Sequence, residues 1–207
     1  NLVFQTPVTV TTGSRAPASF VLTYNGYQSN LHFKNNQKGT ITGAGWMNTF
    51  NQRIDTLSEE NGTTDAEKEK FRRLAKAGYS FVYLDADGTE HYYKASDVAG
   101  IYHDEDGMGS KIVIQNSSTT ERFLLEFDDG TKLTFTSAGF LYRIYGSDGN
   151  YIQAAYNGNN VSYFDDGAGR RTTLTVAGTT VTQVLGPDGL DHGLRYEGNV
   201  LDRINFP

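Results

Sequence analysis

Three successive units of strand and turn lie in one stretch of the sequence, Gly130-Thr-Lys-Leu-Thr-Phe-Thr-Ser-Ala-Gly139-Phe-Leu-Tyr-Arg-Ile-Tyr-Gly-Ser-Asp-Gly149-Asn-Tyr-Ile-Gln-Ala-Ala-Tyr-Asn-Gly158. Apolar and polar residues alternate between its turns, which is the period of a β-strand with one buried face. Its turn glycines mostly follow Asp or Asn, and these dipeptides suit tight hairpins because they tolerate positive φ. The stretch therefore predicts antiparallel hairpins.

The same turn signal recurs towards the end of the chain. From Gly130 onward, the successive turn glycines are separated by 9, 10, 9, 9, 11, 11 and 9 residues. A strand of about 5–6 residues plus a short turn gives this spacing. We therefore predict consecutive antiparallel strands over residues 130–204, with no helix of more than two turns. The turn dipeptides are Asp87-Gly88, Asp106-Gly107, Asp129-Gly130, Ala138-Gly139, Asp148-Gly149, Asn157-Gly158, Asp166-Gly167, Ala177-Gly178, Asp188-Gly189 and Glu197-Gly198.

The composition agrees with an all-β chain. Of the 207 residues, 37% are apolar and 13% aromatic, with 23 Gly and no Cys. The absence of Cys excludes a disulfide framework and a thiolate metal site. The net charge is −6 and the basic residues are dispersed, so we expect no nucleic-acid partner. No apolar run approaches 18 residues, so we also expect no membrane span.

The first part of the chain is predicted to differ from the rest. Strands are expected at 3–10, 19–24, 31–33 and 40–42, followed by one short surface helix at about 64–77, with Thr64 as its N-cap and Glu67 as capping-box partner. We expect residues 1–78 to form N-terminal strands with a helical insertion, and 79–207 to form hairpin repeats in one continuous curved or spiralling sheet. Both chain ends lie in strand-like sequence, so we expect them to continue in a longer polypeptide.

The only Trp follows two glycines, in Gly43-Ala-Gly45-Trp46. Glycine allows another group to approach the backbone closely, and a lone Trp surrounded by small residues gains several kcal/mol on burial, roughly 3–5. We therefore predict that Trp46 is largely buried and packs near Gly43 or Gly45.

Two pairs of acidic residues raise the possibility of a metal site: Asp85 with Asp87, and Asp104 with Asp106. Each pair precedes a glycine and resembles the opening of a calcium loop. The position where such a loop needs its closing Glu holds Ser96 in one case and Gln115 in the other. Capping of a turn explains these carboxylates equally well.

Two further kinds of site are weighed against structural roles. A glycoside hydrolase needs two acids that face one cleft, and Glu121, Glu126, Asp128 and Asp129 are the acids on strands and turns that could supply them. An aromatic platform could stack against sugars, although aromatic rows in a sheet also serve as core or cross-strand pairs. The aromatic rows are Tyr79, Phe81 and Tyr83, then Tyr142, Tyr151, Tyr156 and Tyr163.

Several motifs resemble those of the YD-repeat, or Rhs-type, family. The best match is Tyr163-Phe-Asp165-Asp-Gly-Ala-Gly169-Arg170, and Tyr145-Gly-Ser-Asp148-Gly149-Asn150 followed by Tyr156-Asn-Gly158 is similar. Gly43-Ala-Gly45-Trp46 resembles the segment that opens many bacterial repeat regions, and Tyr102-His-Asp-Glu-Asp-Gly-Met-Gly109 resembles a recurring turn of bacterial members. The turns at Ala138-Gly139 and Ala177-Gly178 depart from the family by lacking Asp.

The resemblance implies a role without catalysis and without a cofactor. In bacterial relatives these repeats spiral into a hollow β-shell that encloses a C-terminal toxic domain. The chain is then expected to be a scaffold segment of a large exported protein, toxin-related or wall-associated, secreted or on the bacterial cell surface. Its expected partners are the rest of the parent polypeptide, an enclosed toxin domain and, through an open edge near 200–206, another chain. A carbohydrate-binding surface module is the alternative, and a glycan-active enzyme is a third reading.

Overall fold

The computed structural model describes residues 3–11, 13–25, 41–62, 64–116 and 120–207. Within these ranges the chain forms seventeen strands and one α-helix, and all neighbouring strands pair antiparallel. The strands divide into a three-stranded sheet, β1–β3, and a fourteen-stranded sheet, β4–β17, whose strands pair in chain order. This confirms the all-β prediction with one short helix.

The strands are bounded as follows: β1 Val3–Val10, β2 Ser19–Asn25, β3 Trp46–Asn48, β4 Arg53–Thr56, β5 Tyr79–Leu84, β6 Glu90–Ala95, β7 Ile101–Asp104, β8 Ser110–Ile114, β9 Phe123–Phe127, β10 Lys132–Phe135, β11 Leu141–Tyr145, β12 Tyr151–Asn157, β13 Asn160–Asp165, β14 Arg171–Ala177, β15 Thr180–Leu185, β16 Asp191–Glu197 and β17 Val200–Asn205. Helix α1 spans Asp65–Lys76, and short 3₁₀ turns lie at Thr49–Asn51 and Glu59–Asn61. The strand expected at 31–33, and Thr40 of the one at 40–42, lie outside the described residues. Ile41 makes a parallel bridge to Thr180.

The helix is confirmed where the capping signal placed it. The Thr64 side chain accepts a hydrogen bond from the N–H of Glu67, and acidic residues occupy the first turn while basic ones occupy the last, as the helix dipole favours. Phe71 is its buried residue and packs in a small cluster with Leu57 and Val82, separate from the main core. The helix therefore lies on the surface as an insertion between β4 and β5.

Strands β10–β17 confirm the prediction for residues 130–204, and they reveal a stricter repeat. Three units, 146–165, 166–185 and 186–205, each contain a five-residue turn, a seven-residue strand, a two-residue turn and a six-residue strand. Each unit is therefore twenty residues long. Within it, positions 9 and 16 are buried and apolar; these residues are Ala154, Leu174 and Leu194, and Val161, Val181 and Leu201.

The five-residue turns share one hydrogen-bond pattern. The N–H of the first residue donates to the C=O of the fifth, and the N–H of the fourth donates to the C=O of the first. The fourth residue is a glycine with φ between 76° and 88°, which only glycine adopts without strain. Six turns follow this pattern: 85–89, 127–131, 136–140, 146–150, 166–170 and 186–190.

This pattern corrects one predicted turn. The glycine with positive φ in the turn 166–170 is Gly169, with φ 76°, and not Gly167. Gly167 is instead placed against the N-terminal segment, because a Cβ there would lie 2.7 Å from the Cβ of Ala16 and 2.9 Å from its backbone N. Glycine is therefore needed at these two positions for different structural reasons.

The fourteen-stranded sheet curls around the three-stranded sheet. Asn25 at the end of β2 donates from Nδ2 to the carbonyl of Asp87, in the turn after β5, and its N–H donates to the carbonyl of Gly45. One residue before Gly45, the N–H of Ala44 donates to the carbonyl of Asn199, in the turn before β17. Twelve strand steps separate β5 from β17, which is about 58 Å in a flat sheet. Because one short segment bridges both, the sheet must curl.

A second contact closes part of this curl. The N–H of Ile54 in β4 donates to the carbonyl of Gly139, and Arg53 forms a bridge with Phe140, so the turn 136–140 covers the free side of β4. At the other end of the sheet, β17 has β16 as its one strand neighbour among the described residues. Within the described part of the chain, the sheet therefore has a covered edge at β4 and an open edge at β17.

The core lies between the two sheets. Phe20 and Leu22 of β2 belong to one continuous buried cluster with residues of nearly every strand of the large sheet, from Ile54 to Leu201. The rings of Phe50 and Phe164 lie 4.7 Å apart, centroid to centroid. We call the side of the large sheet that faces this cluster the inner face, and the opposite side the outer face.

Trp46 is partly buried and packs against the main core, so the predicted burial is met in part; its indole lies 5.4 Å from the Tyr24 ring, centroid to centroid. Its backbone N–H donates to the carbonyl of Gly43 at 3.1 Å, which places it near the first of the two glycines. A Cβ on Gly43 would lie 2.9 Å from the backbone N of Leu201 and 3.3 Å from the Tyr196 ring. Gly43 thus allows the N-terminal segment to reach β17.

Candidate functional site

The two acidic pairs lie on neighbouring turns, and a histidine joins them. His91 of β6 contacts Asp85 with Nε2 at 3.1 Å and Asp106 with Nδ1 at 2.6 Å. Asp85 also accepts hydrogen bonds from the N–H groups of Asp87 and Thr89, within its own turn. The imidazole therefore occupies the space between carboxylates from the two pairs.

The remaining acids of this cluster hold their turns. Asp87 accepts hydrogen bonds from the N–H and the hydroxyl of Thr89, and Asp104 accepts from the N–H groups of Met108 and Ser110. Among the described residues, no three His, Asp or Glu side chains converge as metal ligands. The contacts that are present favour the turn-capping interpretation of Asp85, Asp87 and Asp104, whereas Asp106 contacts His91.

The charges in the cluster are coupled. Burial lowers the pKa of His91, but its hydrogen bonds to Asp85 and Asp106 outweigh this and raise its pKa above the usual value. Burial raises the pKa of Asp85, but hydrogen bonds from His91 and from the turn amides outweigh it and lower its pKa. These contacts favour the protonated form of the imidazole, which joins the β5–β6 turn to the β7–β8 turn.

Three of the four acids considered for hydrolysis, Glu121, Glu126 and Asp129, are held by cations or by turns. Glu121 accepts from Arg143 at 2.7 Å and from the Tyr145 hydroxyl at 3.0 Å. Glu126 pairs with Lys111 and Lys132, and Asp129 accepts from the N–H of Thr131. These partners give the carboxylates structural roles.

The aromatic rows divide between the two faces. Phe81 and Tyr83 are buried, and Tyr156 points inward, where its hydroxyl donates to the carbonyl of Leu141. Tyr79 packs against Tyr92 near the helix, with ring centroids 5.9 Å apart. Packing therefore accounts for four of the seven aromatic residues, while Tyr142, Tyr151 and Tyr163 remain partly open to solvent.

Two arginines organise the outer-face tyrosines. The Arg143 guanidinium lies 4.3 Å from the ring centre of Tyr151 and 4.9 Å from that of Tyr142. The Arg171 guanidinium lies 3.5 Å from the ring centre of Tyr163. Such contacts fix the orientation of the rings on a surface where they would otherwise rotate freely.

A surface groove of about 320 Å³ lies beside these rings. We call it the proximal groove; Asn150, Tyr151, Gln153, Asp165 and Asp166 supply its side chains. Asp165 forms a bidentate pair with Arg171, at 2.8 and 3.0 Å, and Gln153 accepts a hydrogen bond from Arg143. Tyr151 is 39% exposed, so a flat ligand can reach its ring.

The family-motif residues have distinct positions. Gly149 and Gly169 are fourth residues of five-residue turns, Asp165 is the last residue of β13, and Arg170 is the fifth residue of the turn 166–170. Asp166, which the motif comparison did not single out, is the buried acid of that turn; it accepts from the N–H groups of Ala168 and Arg170 and from Arg170 Nε. The spacing of the turns could be predicted from the sequence, whereas the role of Asp166 as the buried acid could not.

No family model and no curated protein matches the chain. In the described ranges, no helix has both the length and the apolar character needed to cross a bilayer.

Proposed function

We propose that the chain is a non-enzymatic structural scaffold, a YD-repeat shell segment of a large exported bacterial protein. The observation that supports it best is the twenty-residue unit, repeated three times from residue 146, in which polar residues serve turns and apolar residues serve one curved core. Repeats of this kind gain stability by stacking on their neighbours, and their surfaces need no reaction centre.

The open edge suggests the partner of such a segment. Strand β17 ends the fourteen-stranded sheet with β16 on one side, and its Val200 is 53% exposed. An unpaired strand edge binds another strand unless it is blocked. We propose that β17 pairs with the rest of a parent polypeptide or, in the isolated chain, with a second copy.

Sedimentation tests this edge. The isolated chain is expected to form dimers at high concentration, and Val200→Lys is expected to shift the equilibrium at least tenfold towards monomer, because a charge on an edge strand opposes pairing. Val98→Lys, at a residue 59% exposed and remote from β17, is the matched control. A strict monomer at all concentrations, or equal effects of the two variants, contradicts association through β17.

A substrate screen tests the absence of catalysis. The scaffold proposal expects no turnover of polysaccharides, esters or phosphoesters. Turnover that disappears when Glu121 and Glu126 are changed to Gln, in a variant that still folds, would falsify it.

A carbohydrate-binding module is the second candidate, and the proximal groove is the observation that favours it. An exposed aromatic ring and neighbouring amide and carboxylate groups offer a stacking face and paired hydrogen-bond partners, which suit adjacent hydroxyls of a sugar. A glycan array probed with the chain and with Tyr151→Ala tests this candidate. Retention that depends on Tyr151 supports it, and no retained glycan contradicts it.

A further inference from the structure

A second groove lies on the outer face, two repeat units after the first. This distal groove has a volume of about 610 Å³ and includes Gln183, Asp191, Gly193, Arg195 and Asn205 in its lining. Asp191, Gly193 and Asn205 stand at positions 6, 8 and 20 of the unit 186–205. The same positions of the unit 146–165 hold Tyr151, Gln153 and Asp165, which line the proximal groove. The two grooves are therefore equivalent places in the repeat.

The strand register explains why a groove forms at this place. Positions 8 and 20 pair directly across each hairpin, as Gln153 with Asp165 and as Gly193 with Asn205. In the intervening unit this pair is Thr173 with Leu185. The path between the grooves thus crosses one short side chain and one apolar side chain that is 42% exposed.

We propose that the two grooves together bind one linear, uncharged oligosaccharide across the outer face of β12–β17, an inference that rests on the second candidate function. Strands β12 and β16, which begin with Tyr151 and Asp191, are four steps apart, so the ligand must span about 19 Å. Both grooves are shallow and open, and their planar amide, carboxylate and guanidinium groups provide donors and acceptors in pairs.

The distal groove is ordered before any ligand arrives. The Thr175 hydroxyl donates to Gln183 Oε1 at 2.8 Å, and Gln183 Nε2 donates to Asp191 at 2.5 Å. Side chains that are already held in place lose less entropy when a ligand binds. Gly193 forms the floor of the groove, and its missing side chain leaves the space that a ring would fill.

Charge and backbone pairing select this ligand class. Asp165 and Asp166 in one groove, Asp191 in the other and a net charge of −6 oppose a nucleic acid or another polyanion. Strands β12–β16 are paired on both sides, so their backbone offers no free edge to an extended peptide. Recognition must then come from side chains alone, through hydroxyl groups and flat apolar faces.

Titration calorimetry with neutral linear oligosaccharides of two to eight sugars, from the cello, xylo and chito series, tests the proposal. At least one series is expected to gain tenfold or more in affinity once its members are long enough to span both grooves. Tyr151→Ala removes the stacking ring of the proximal groove. Gly193→Phe fills the distal groove, where a Cβ would meet only ordinary contacts of 3.5 Å and 3.8 Å to Asn205.

Each of these variants is expected to abolish the increase in affinity with oligosaccharide length. The shortest oligosaccharides should still bind to the groove that the variant leaves intact. Gln115→Ala, at a residue of the β8–β9 region outside both grooves, is the control and is expected to bind as the unmodified chain does. Circular dichroism confirms that each variant folds.

The failures are distinguishable. Binding that is independent of length, or that is lost only with Tyr151→Ala, overturns the two-groove inference and leaves a one-site module. Binding of no oligosaccharide, or of peptides or oligonucleotides in their place, overturns both the inference and the carbohydrate-binding candidate.

Discussion

At the residue scale, carboxylates hold the turns, and they differ in burial. Asp166 is 4% exposed, whereas Asp148, Asp129 and Asp188 cap exposed turns through the N–H two residues on. Burial raises the pKa of Asp166, but hydrogen bonds from the turn amides, from Arg170 and from Thr11 outweigh it and lower its pKa. Asp166 therefore connects its turn to the N-terminal segment.

Asp166→Asn is expected to reduce the free energy of unfolding by roughly 2–3 kcal/mol, because it removes a buried carboxylate that pairs with Arg170 and mismatches two turn amides. Urea unfolding at pH 7 measures this loss, and Asp148→Asn in an exposed turn is the control, with a clearly smaller effect. The Asp166 contribution should also disappear as the pH falls through its lowered folded-state pKa. Equal losses in the two variants contradict the special role of Asp166.

His91 makes the opposite pH prediction. Since the pKa of His91 is raised in the folded protein, its stabilisation is fully present below about pH 6.5, the ordinary histidine value, and is lost as the pH rises through the folded-state value. Groups that face the ring are Asp85, Asp106 and Tyr83, whose ring stacks on it at 5.9 Å.

Unfolding curves of the unmodified chain and of His91→Gln between pH 5.5 and pH 8.5 test this. The unmodified chain is expected to have a free energy of unfolding about 1 kcal/mol higher than that of His91→Gln at pH 5.5, and this difference is expected to be smaller at pH 8.5. His103→Gln, at an exposed histidine of β7, is the matched control. A difference that stays constant between pH 5.5 and pH 8.5 would contradict stabilisation of the fold by a protonated His91.

At the element scale, the N-terminal segment is held against the hairpin turns. The carbonyl of Ala16 accepts from the N–H of Gly167, and Ile41 exchanges hydrogen bonds with the backbone at Thr179 and Val181. These contacts join segments far apart in the chain, and glycines at the contacts leave room for the passing backbone. The N-terminal segment thus stabilises the curl of the large sheet.

Gly167→Ala is expected to lower the free energy of unfolding by roughly 1–3 kcal/mol, because its Cβ would overlap the backbone of Ala16. Gly193→Ala is the matched control: it also lies outside the positive-φ region, but its Cβ meets only ordinary contacts. Thermal melts of the two variants give the comparison. Equal melting temperatures of the two variants would contradict a close contact between Ala16 and Gly167.

The elements differ in how much their sequence determined in advance. Alternation and turn glycines located β10–β17, and Thr64 with Glu67 located the helix, since each of these signals acts between residues close in sequence. The choice of Gly169 over Gly167, and the partial exposure of Trp46, depend on contacts with Ala16, Leu201 and Tyr24 across the fold. Such contacts leave no local pattern. The exact twenty-residue unit was present in the sequence, but the irregular glycine spacing concealed it.

At the scale of the whole molecule, the curl and the open edge decide what the protein can do. A sheet that curls around its own N-terminal strands has its inner face filled by core, so the proposals for ligands and partners concern the outer face and β17. The Arg143–Tyr151 surface could not be predicted as a unit, because Glu121, Arg143 and Gln153 come together only through the register of neighbouring strands. The scaffold proposal accounts for both features, because further hairpin repeats would extend the curled sheet at β17.

Hydrogen exchange of a chain extended by one repeat tests this claim most directly. A second copy of residues 186–205 is placed after Asn205, and the exchange of the β17 amides is compared with that of the unmodified chain. The account predicts that amides of Val200–Asn205 which exchange freely in the dilute unmodified chain become protected by at least a hundredfold, because the added hairpin pairs with the open edge. Unchanged exchange in β17, with an added repeat that exchanges as an unfolded peptide, would contradict it.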